Sequence, residues 1–229
     1  NYVYDTKRNL SSRYMPSTYA QSYKYDSYGN LIKATRLLGI NSNILPNTSF
    51  ERWNPSTGMP GQWTKIGTGG TISEETNDRV SGFRSVKLTS NGMSAARLMS
   101  DYVEVYDKTK YNLSWYVKTS GVGNINGGAT VHVYWYDEAY NTVGITTNIA
   151  SAAGTTDWVR RGARIDALSD DPETDKVKYA KIELYLADIG TAWFDNIQMS
   201  YGSSINQSNF VNNSGFEMLD PAGLPLYWS

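Results

Sequence analysis

Tyr116 and Lys118, then His132, Tyr134 and Tyr136, then Glu183 and Tyr185 fall at every second position of three segments whose intervening residues are apolar. In an extended chain alternate side chains share a face. If the three segments lie in one sheet, these seven residues make a single surface of aromatic rings and polar groups. Such a surface suits carbohydrate. The apolar C–H faces of sugar rings stack on aromatic planes, and their hydroxyls need donors and acceptors close by. Tyr134 and Tyr136 would stand about 7 Å apart along one strand, a spacing comparable to successive sugars. The alternative is purely structural, with the tyrosines as cross-strand pairs or covered by loops. Trp115 and Trp135 fall on the opposite phase and are expected in the core.

Most catalytic chemistry is absent from the composition. The 229 residues include no cysteine and one histidine, which removes thiolate nucleophiles, disulfides, sulfur-ligated metals and multi-histidine metal sites. His132 sits on an alternating segment with no Ser or Asp motif beside it, so it reads as a surface contact rather than a general base. Asp170, Asp171, Glu173 and Asp175 cluster around Pro172 but lack the glycine and glutamate of an EF-hand loop, and read as a solvated loop. No Gly-x-Ser-x-Gly, P-loop or dinucleotide fingerprint occurs. No catalytic residues are expected. The net charge of −1 offers no basic field for nucleic acid or an anionic membrane, and no apolar run nears the ~20 residues of a membrane span.

The elements that must position these side chains are strands. Tyr111, Leu113, Trp115 and Val117 alternate with polar residues, as do Val131, Val133 and Trp135, and Ile182, Leu184 and Leu186. Period two marks half-buried strands. Shorter candidates cover 85–89, 102–105, 158–165 and 193–199, with turn-rich sequence such as 121–128 between them. No amphipathic helix longer than 31–38 is evident. The 18 tyrosines and seven tryptophans against five phenylalanines also suit strands with polar-tipped aromatic faces. Eight or more strands at this spacing predict an all-β, two-sheet jelly-roll sandwich.

Two repeats divide the chain. Tyr2-Val3-Tyr4-Asp5 followed by Asn9-Leu10 recurs as Tyr23-Lys24-Tyr25-Asp26 followed by Gly29-Asn30-Leu31. The second copy reads as a hairpin, with a turn at Asp26 and Gly29-Asn30 and a returning strand from Leu31, while the first has Arg8 in place of the glycine and a less ideal turn. The pattern resembles the YD (RHS) repeat of large secreted proteins. A tyrosine-rich hairpin without family meaning is the alternative. Asn47-Thr48-Ser49-Phe50-Glu51, Gly58-Met59-Pro60 and Trp63 recur as Asn213-Ser214-Gly215-Phe216-Glu217, Gly223-Leu224-Pro225 and Trp228. The expected organisation is YD-type hairpins and linker over 1–44, a jelly-roll module over 45–203, and a connector with the first strand of a second module over 204–229. The opening residues hold no start methionine and read as an internal segment.

Five motifs in order carry a further resemblance. They are N-x-x-F-E with Trp63; Ser81-Gly82-Phe83-Arg84-Ser85-Val86-Lys87-Leu88; Tyr111-Asn112-Leu113-Ser114-Trp115-Tyr116-Val117-Lys118; Asp157-Trp158; and Gly190-Thr191-Ala192-Trp193-Phe194-Asp195-Asn196-Ile197-Gln198-Met199. Together they resemble the jelly-roll carbohydrate-binding modules of families 4, 9 and 22. The resemblance implies a structural Ca²⁺ gripped by Glu51 and Asp195, with Ser49 and the Arg84 carbonyl adding oxygens. The alternative pairs Glu51 with a basic neighbour and lets Asp195 cap a turn. It further implies a non-catalytic module of a large secreted or cell-surface bacterial YD-repeat protein, binding polysaccharide or cell-wall glycan beside neighbouring modules of the same chain. The rival reading is a structural spacer or adhesion module that packs on a YD-repeat shell and takes no sugar.

Overall fold

The computed structural model describes residues 2–4, 10–14, 20–25, 28–37, 43–171 and 176–201. Near the N-terminus, β1 (Tyr2–Tyr4), β2 (Leu10–Tyr14), β3 (Ala20–Tyr25) and β4 (Leu31–Leu37) form an antiparallel meander in chain order. Tyr25 pairs with Leu31 across a turn in which Gly29 takes φ +87°, a left-handed conformation open to glycine at no steric cost. The 31–38 stretch, the longest helical candidate, is therefore a strand over Leu31–Leu37, and no helix occurs among the described residues.

Residues 43–171 and 176–201 form a sandwich. A two-residue hairpin of β5 (Trp53–Asn54) and β6 (Met59–Pro60) precedes β7 (Trp63–Lys65), β8 (Thr71–Glu75), β9 (Ser85–Ser90), β10 (Ala96–Ser100) and β11 (Val103–Glu104). The long strands follow: β12 (Lys110–Val122), β13 (Ala129–Tyr136), β14 (Thr142–Ala152), β15 (Gly154–Asp166), β16 (Tyr179–Leu186) and β17 (Gly190–Tyr201). Sheet I runs β14-β13-β16-β10-β7, with β11 also paired to β16, and sheet II runs β15-β12-β17-β9-β8. All these pairings are antiparallel. Because the chain passes repeatedly from one sheet to the other, each must bury one face on its partner. The all-β, two-sheet sandwich expected from the alternation is what forms.

The expected phase also holds. Tyr111, Leu113, Trp115 and Val117 of sheet II and Val131, Val133, Trp135, Ile182, Leu184 and Leu186 of sheet I are all buried in the core between the sheets. Each such side chain contributes about 1.5–3 kcal/mol by leaving water. The outward residues of the same strands are what sequence alternation offered as a site. The N-x-x-F-E copy at 213–217 and the connector at 204–208 lie outside the described residues, as do Glu173 and Asp175 of the acidic cluster. Asp170 and Asp171 are exposed, and the amide of Asp170 donates to the Val143 carbonyl at 2.6 Å.

Candidate functional site

On the outer face of sheet I, register brings three strands into rows. Arg97, Tyr185 and Thr130 stand side by side, as do Met99, Glu183 and His132, then Lys181 with Tyr134, then Tyr179 with Tyr136. Glu183 is the hub and is wholly buried. Its carboxylate accepts from Arg97 Nε at 2.6 Å and from the Tyr134 hydroxyl at 3.1 Å, and meets His132 Nδ1 at 3.0 Å. Arg97 Nη2 donates to the same tyrosine oxygen at 3.2 Å, closing the network. Burial alone would raise the Glu183 pKa, but the hydrogen bonds from His132 and Arg97 outweigh it and hold it below the usual carboxylate range. The guanidinium of Arg97 is correspondingly held charged: burial opposes this, and Glu183 overcomes it. Tyr134 is pushed up by burial and by the neighbouring Glu183 charge. The Tyr185 ring lies 4.6 Å from the His132 ring, with the Arg97 guanidinium 5.9 Å from its centroid.

At one end of this face four tyrosines gather. Tyr140 stacks on Tyr179 at 4.7 Å and 13°, Tyr102 meets Tyr136 edge-on at 4.9 Å, and Tyr102 also packs on Tyr140 at 4.9 Å. The Lys181 ammonium sits 4.3 Å over the Tyr102 ring. Tyr102 and Tyr140 keep 41% and 52% of their surface exposed, so stacking area is open to solvent here. Tyr136 is buried, and burial raises its pKa. Asp137 shapes the loop that carries Tyr140, accepting from the amides of Ala139 and Asn141 at 2.8 Å.

Five of the seven expected ligand residues therefore share one face, but only Tyr134 and Tyr185 are half-buried there. His132, expected as a surface contact, is buried with Tyr136 and Glu183, because neighbouring rings and Arg97 pack over them. Tyr116 and Lys118 do not join them. Both belong to β12, whose partners are β15 and β17 of sheet II, so they face outward on the opposite side of the sandwich. There Lys118 Nζ bonds Asp78 at 2.6 Å, which raises its pKa, and lies 5.8 Å over the Trp193 ring. Alternation gave the phase of β12 but carried no information about its neighbours. Arg97, Tyr102, Tyr140, Tyr179 and Lys181 were missed. Tyr179 and Lys181 share the phase of Glu183 on β16 and were the readable ones. Arg97 lies in a strand too short to show its phase, and Tyr102 and Tyr140 lie outside the strands.

Of the four proposed metal ligands, Glu51 and Asp195 both bond to the 79–84 loop, which carries Arg84. Glu51 accepts from the amides of Phe83 at 2.9 Å and Arg84 at 3.3 Å. Its carboxylate closes against Gly82, whose left-handed φ of +62° favours glycine and where a Cβ would displace the Glu51 carboxylate. Asp195 is fully buried and accepts from the amides of Val80 at 2.8 Å, Ser81 at 3.1 Å and Asn196 at 2.7 Å. Burial pushes its pKa up to about 7 despite those amides, and the Glu51 charge adds to the rise. No lysine or arginine forms an ion pair with Asp195 among the described residues. Ser49 is half-buried, and Arg84 directs its guanidinium to Glu74 and to the Glu51 carbonyl. Asp195 thus caps the 80–81 turn, as in the alternative reading, while Glu51 bonds amides rather than a basic side chain. Two carboxylates beside one loop, with no cationic partner for Asp195 among the described residues, still suit a hard cation. No cluster of three or more acidic or histidine side chains is present among the described residues, so main-chain oxygens and water would have to complete the shell.

No family model matches the chain. Over 201 residues, 84% of its length, it is 28% identical to the tRNA nuclease WapA of Bacillus subtilis strain 168, of which it spans 8%. Among solved structures, the enzymatically active domain of bacteriophage CBA120 tailspike protein 4 aligns with 70% of this chain and 21% of its own, with TM-score 0.53 and 12% identity. The MgGH51 α-L-arabinofuranosidase aligns with 74% of this chain and 28% of its own, with TM-score 0.51 and 14% identity. The CBM22-1 xylan-binding domain of Paenibacillus barcinonensis Xyn10C aligns with 72% of this chain and 97% of its own, with TM-score 0.47 and 16% identity. What the chain shares with the tailspike domain and the arabinofuranosidase at these identities is the fold.

Proposed function

We propose that the chain contains a non-catalytic carbohydrate-binding module of a large secreted or cell-surface bacterial protein, and that it holds polysaccharide or cell-wall glycan on the outer face of sheet I. The observation that carries this reading is the pairing, on one face, of exposed tyrosine rings with a fixed polar network. Tyr102 and Tyr140 offer exposed stacking planes backed by Tyr179, and Arg97 and Tyr134 are held in place by Glu183, which is buried together with His132. Stacking supplies affinity, and oriented donors select among hydroxyl patterns. The curated relatives are named as tRNA nucleases, but this chain spans a small fraction of such a protein. We assign it a binding part rather than the cleaving part. Its single histidine is tied to Glu183, and its net charge of −1 supplies no phosphate-binding field. The N-terminal meander is read as YD-type hairpins of the same parent, with further modules beside it.

Retention on insoluble polysaccharides and a glycan array tests the site. Tyr140→Ala, at an exposed ring, should lower affinity about tenfold, the worth of one aromatic contact, and leave the melting temperature nearly unchanged. If no glycan is retained by the intact protein, the spacer reading replaces this one.

For the ion, we propose that Glu51, Asp195, Ser49 and the Arg84 carbonyl hold a structural Ca²⁺. Such an ion would neutralise the two carboxylates and pin the 79–84 loop to β17, away from the sugar face. Chelator should lower the melting temperature of the wild type and leave that of Asp195→Asn unaffected; equal sensitivity in the two rejects the ion.

A further inference from the structure

The centre of the sheet I face is cationic where a ligand would touch it. Glu183 is its one carboxylate among the described residues, and it is 0% exposed beneath its partners. The two charged groups above it are Arg97 and Lys181. Both border Tyr134, since Arg97 bonds its hydroxyl and Lys181 is its partner in register. Lys181 makes no ion pair among the described residues and is held only over the Tyr102 ring. A guanidinium carries five N–H donors. Glu183 and Tyr134 engage Arg97 through Nε and one N–H of Nη2, and the side chain keeps 34% of its surface. His132 Nε2 adds a buried ring nitrogen with no hydrogen-bond partner. The other acids lie at the aromatic end: Glu104, paired in register with Tyr179, is bonded by Lys178 at 2.5 Å, Asp137 is held by its own loop, and Asp101 and Glu138 are exposed beside Tyr102 and in the Tyr140 loop.

We infer that the ligand of this face is an anionic glycan, with a carboxylate or phosphate group over Tyr134 between Arg97 and Lys181 and sugar rings on Tyr185 and on the Tyr102–Tyr140–Tyr179 cluster. The inference rests on the glycan-binding reading above and adds the class of sugar. A neutral sugar would leave Lys181 partly desolvated without a charged partner, whereas an anion meets it together with the free N–H donors of Arg97, already oriented by Glu183. The tyrosines then set register along the chain, and the cations decide which glycans are admitted.

Equilibrium binding of the full 229-residue protein to polygalacturonate, to a phosphodiester-linked polyol polymer and to neutral xylan, at low and high salt, tests this. At least one anionic polymer should bind about tenfold more tightly than xylan at low salt, with the margin shrinking as salt screens the contact. The tighter of the two names the anionic group. Lys181→Gln should cut that affinity about three- to tenfold without touching xylan, as expected for a partly exposed ion contact. Lys110→Gln, in sheet II, should leave it unchanged. If Lys110→Gln weakens binding as much as Lys181→Gln, the attraction is general charge and the inference falls. Xylan bound as tightly, insensitive to salt but weakened by Tyr140→Ala, overturns the anionic specificity and leaves the glycan reading standing. Retention of none of the three, nor of any glycan on the array, removes both.

Discussion

Phe50 and the residues around it show how a repeated motif can be structural. Its ring is fully buried against Trp63 at 5.3 Å, while the Trp63 indole donates to the Pro46 carbonyl at 3.2 Å. Asn47 closes the loop around them, donating to the carbonyls of Arg52 at 2.9 Å and Gly61 at 2.8 Å, at a left-handed φ of 45° that asparagine tolerates. The N-x-x-F-E…W signature is thus a clasp built from one loop amide, one plug and one carboxylate on the 83–84 amides. Phe50→Ala should lower unfolding free energy by about 3–5 kcal/mol in urea titration, since the cavity lies in the sandwich core. On the outer face of sheet I, Glu183 makes a prediction in pH. Its folded pKa is depressed, so its contribution is present above the unfolded value of about 4.3 and is lost as pH falls through the folded one. Wild type should lose stability below about pH 4 more steeply than Glu183→Gln, as followed by thermal melts across pH.

The strands at one edge of each sheet, β14 and β15, both pair through register shifts. β14 pairs with β13 through three register shifts and carries Asn148 and Ala150 at φ 53° and 44°. Bulges of this kind twist an edge away from regular pairing with another chain. Asn148→Val, at an exposed position, places a β-branched residue in the left-handed region and should destabilise by about 1–2 kcal/mol in urea titration. The central strands explain the divided site. β12 and β13 are consecutive and share the same alternating pattern, yet one joins β17 and the other β16. A crossing between sheets keeps core residues in the core but sends outward residues to opposite sides of the molecule. Tyr116 and Tyr134 were therefore indistinguishable by pattern and separated by connectivity.

At the scale of the whole molecule, the start and end of the sandwich are held by side chains that bridge 154 or more positions. Asn43 Nδ2 donates to the Ile197 carbonyl at 2.7 Å, and the Met199 amide donates to Asn43 Oδ1 at 2.9 Å. Asp195 ties β17 to the 79–84 loop in the same region. Because burial raises its pKa to about 7, the folded state resists ionising it. The folded protein then binds more protons than the unfolded one between about pH 4 and 7, so without divalent cation stability should fall as pH rises through that window, by at most about 4 kcal/mol. Thermal melts in chelator should show this decline for wild type and lose it in Asp195→Asn, and Ca²⁺ should restore stability more at pH 8 than at pH 5.

Periodicity and composition alone determined that the chain is all-β, that Trp115 and Trp135 point inward, that the tyrosines of β13 and β16 point outward, and that thiol and multi-histidine chemistry is absent. Those properties depend on the two-residue repeat of an extended backbone and on which atoms exist, both of which are local. Tertiary structure alone decided that Lys118 and Tyr134 stand on opposite faces, that Glu183 is buried beneath Arg97, and that Tyr102 and Tyr140 complete the aromatic end of the site. Strand pairing and loop placement are settled by burial across the whole sandwich, and residues far apart in sequence carry no local mark of their eventual neighbours.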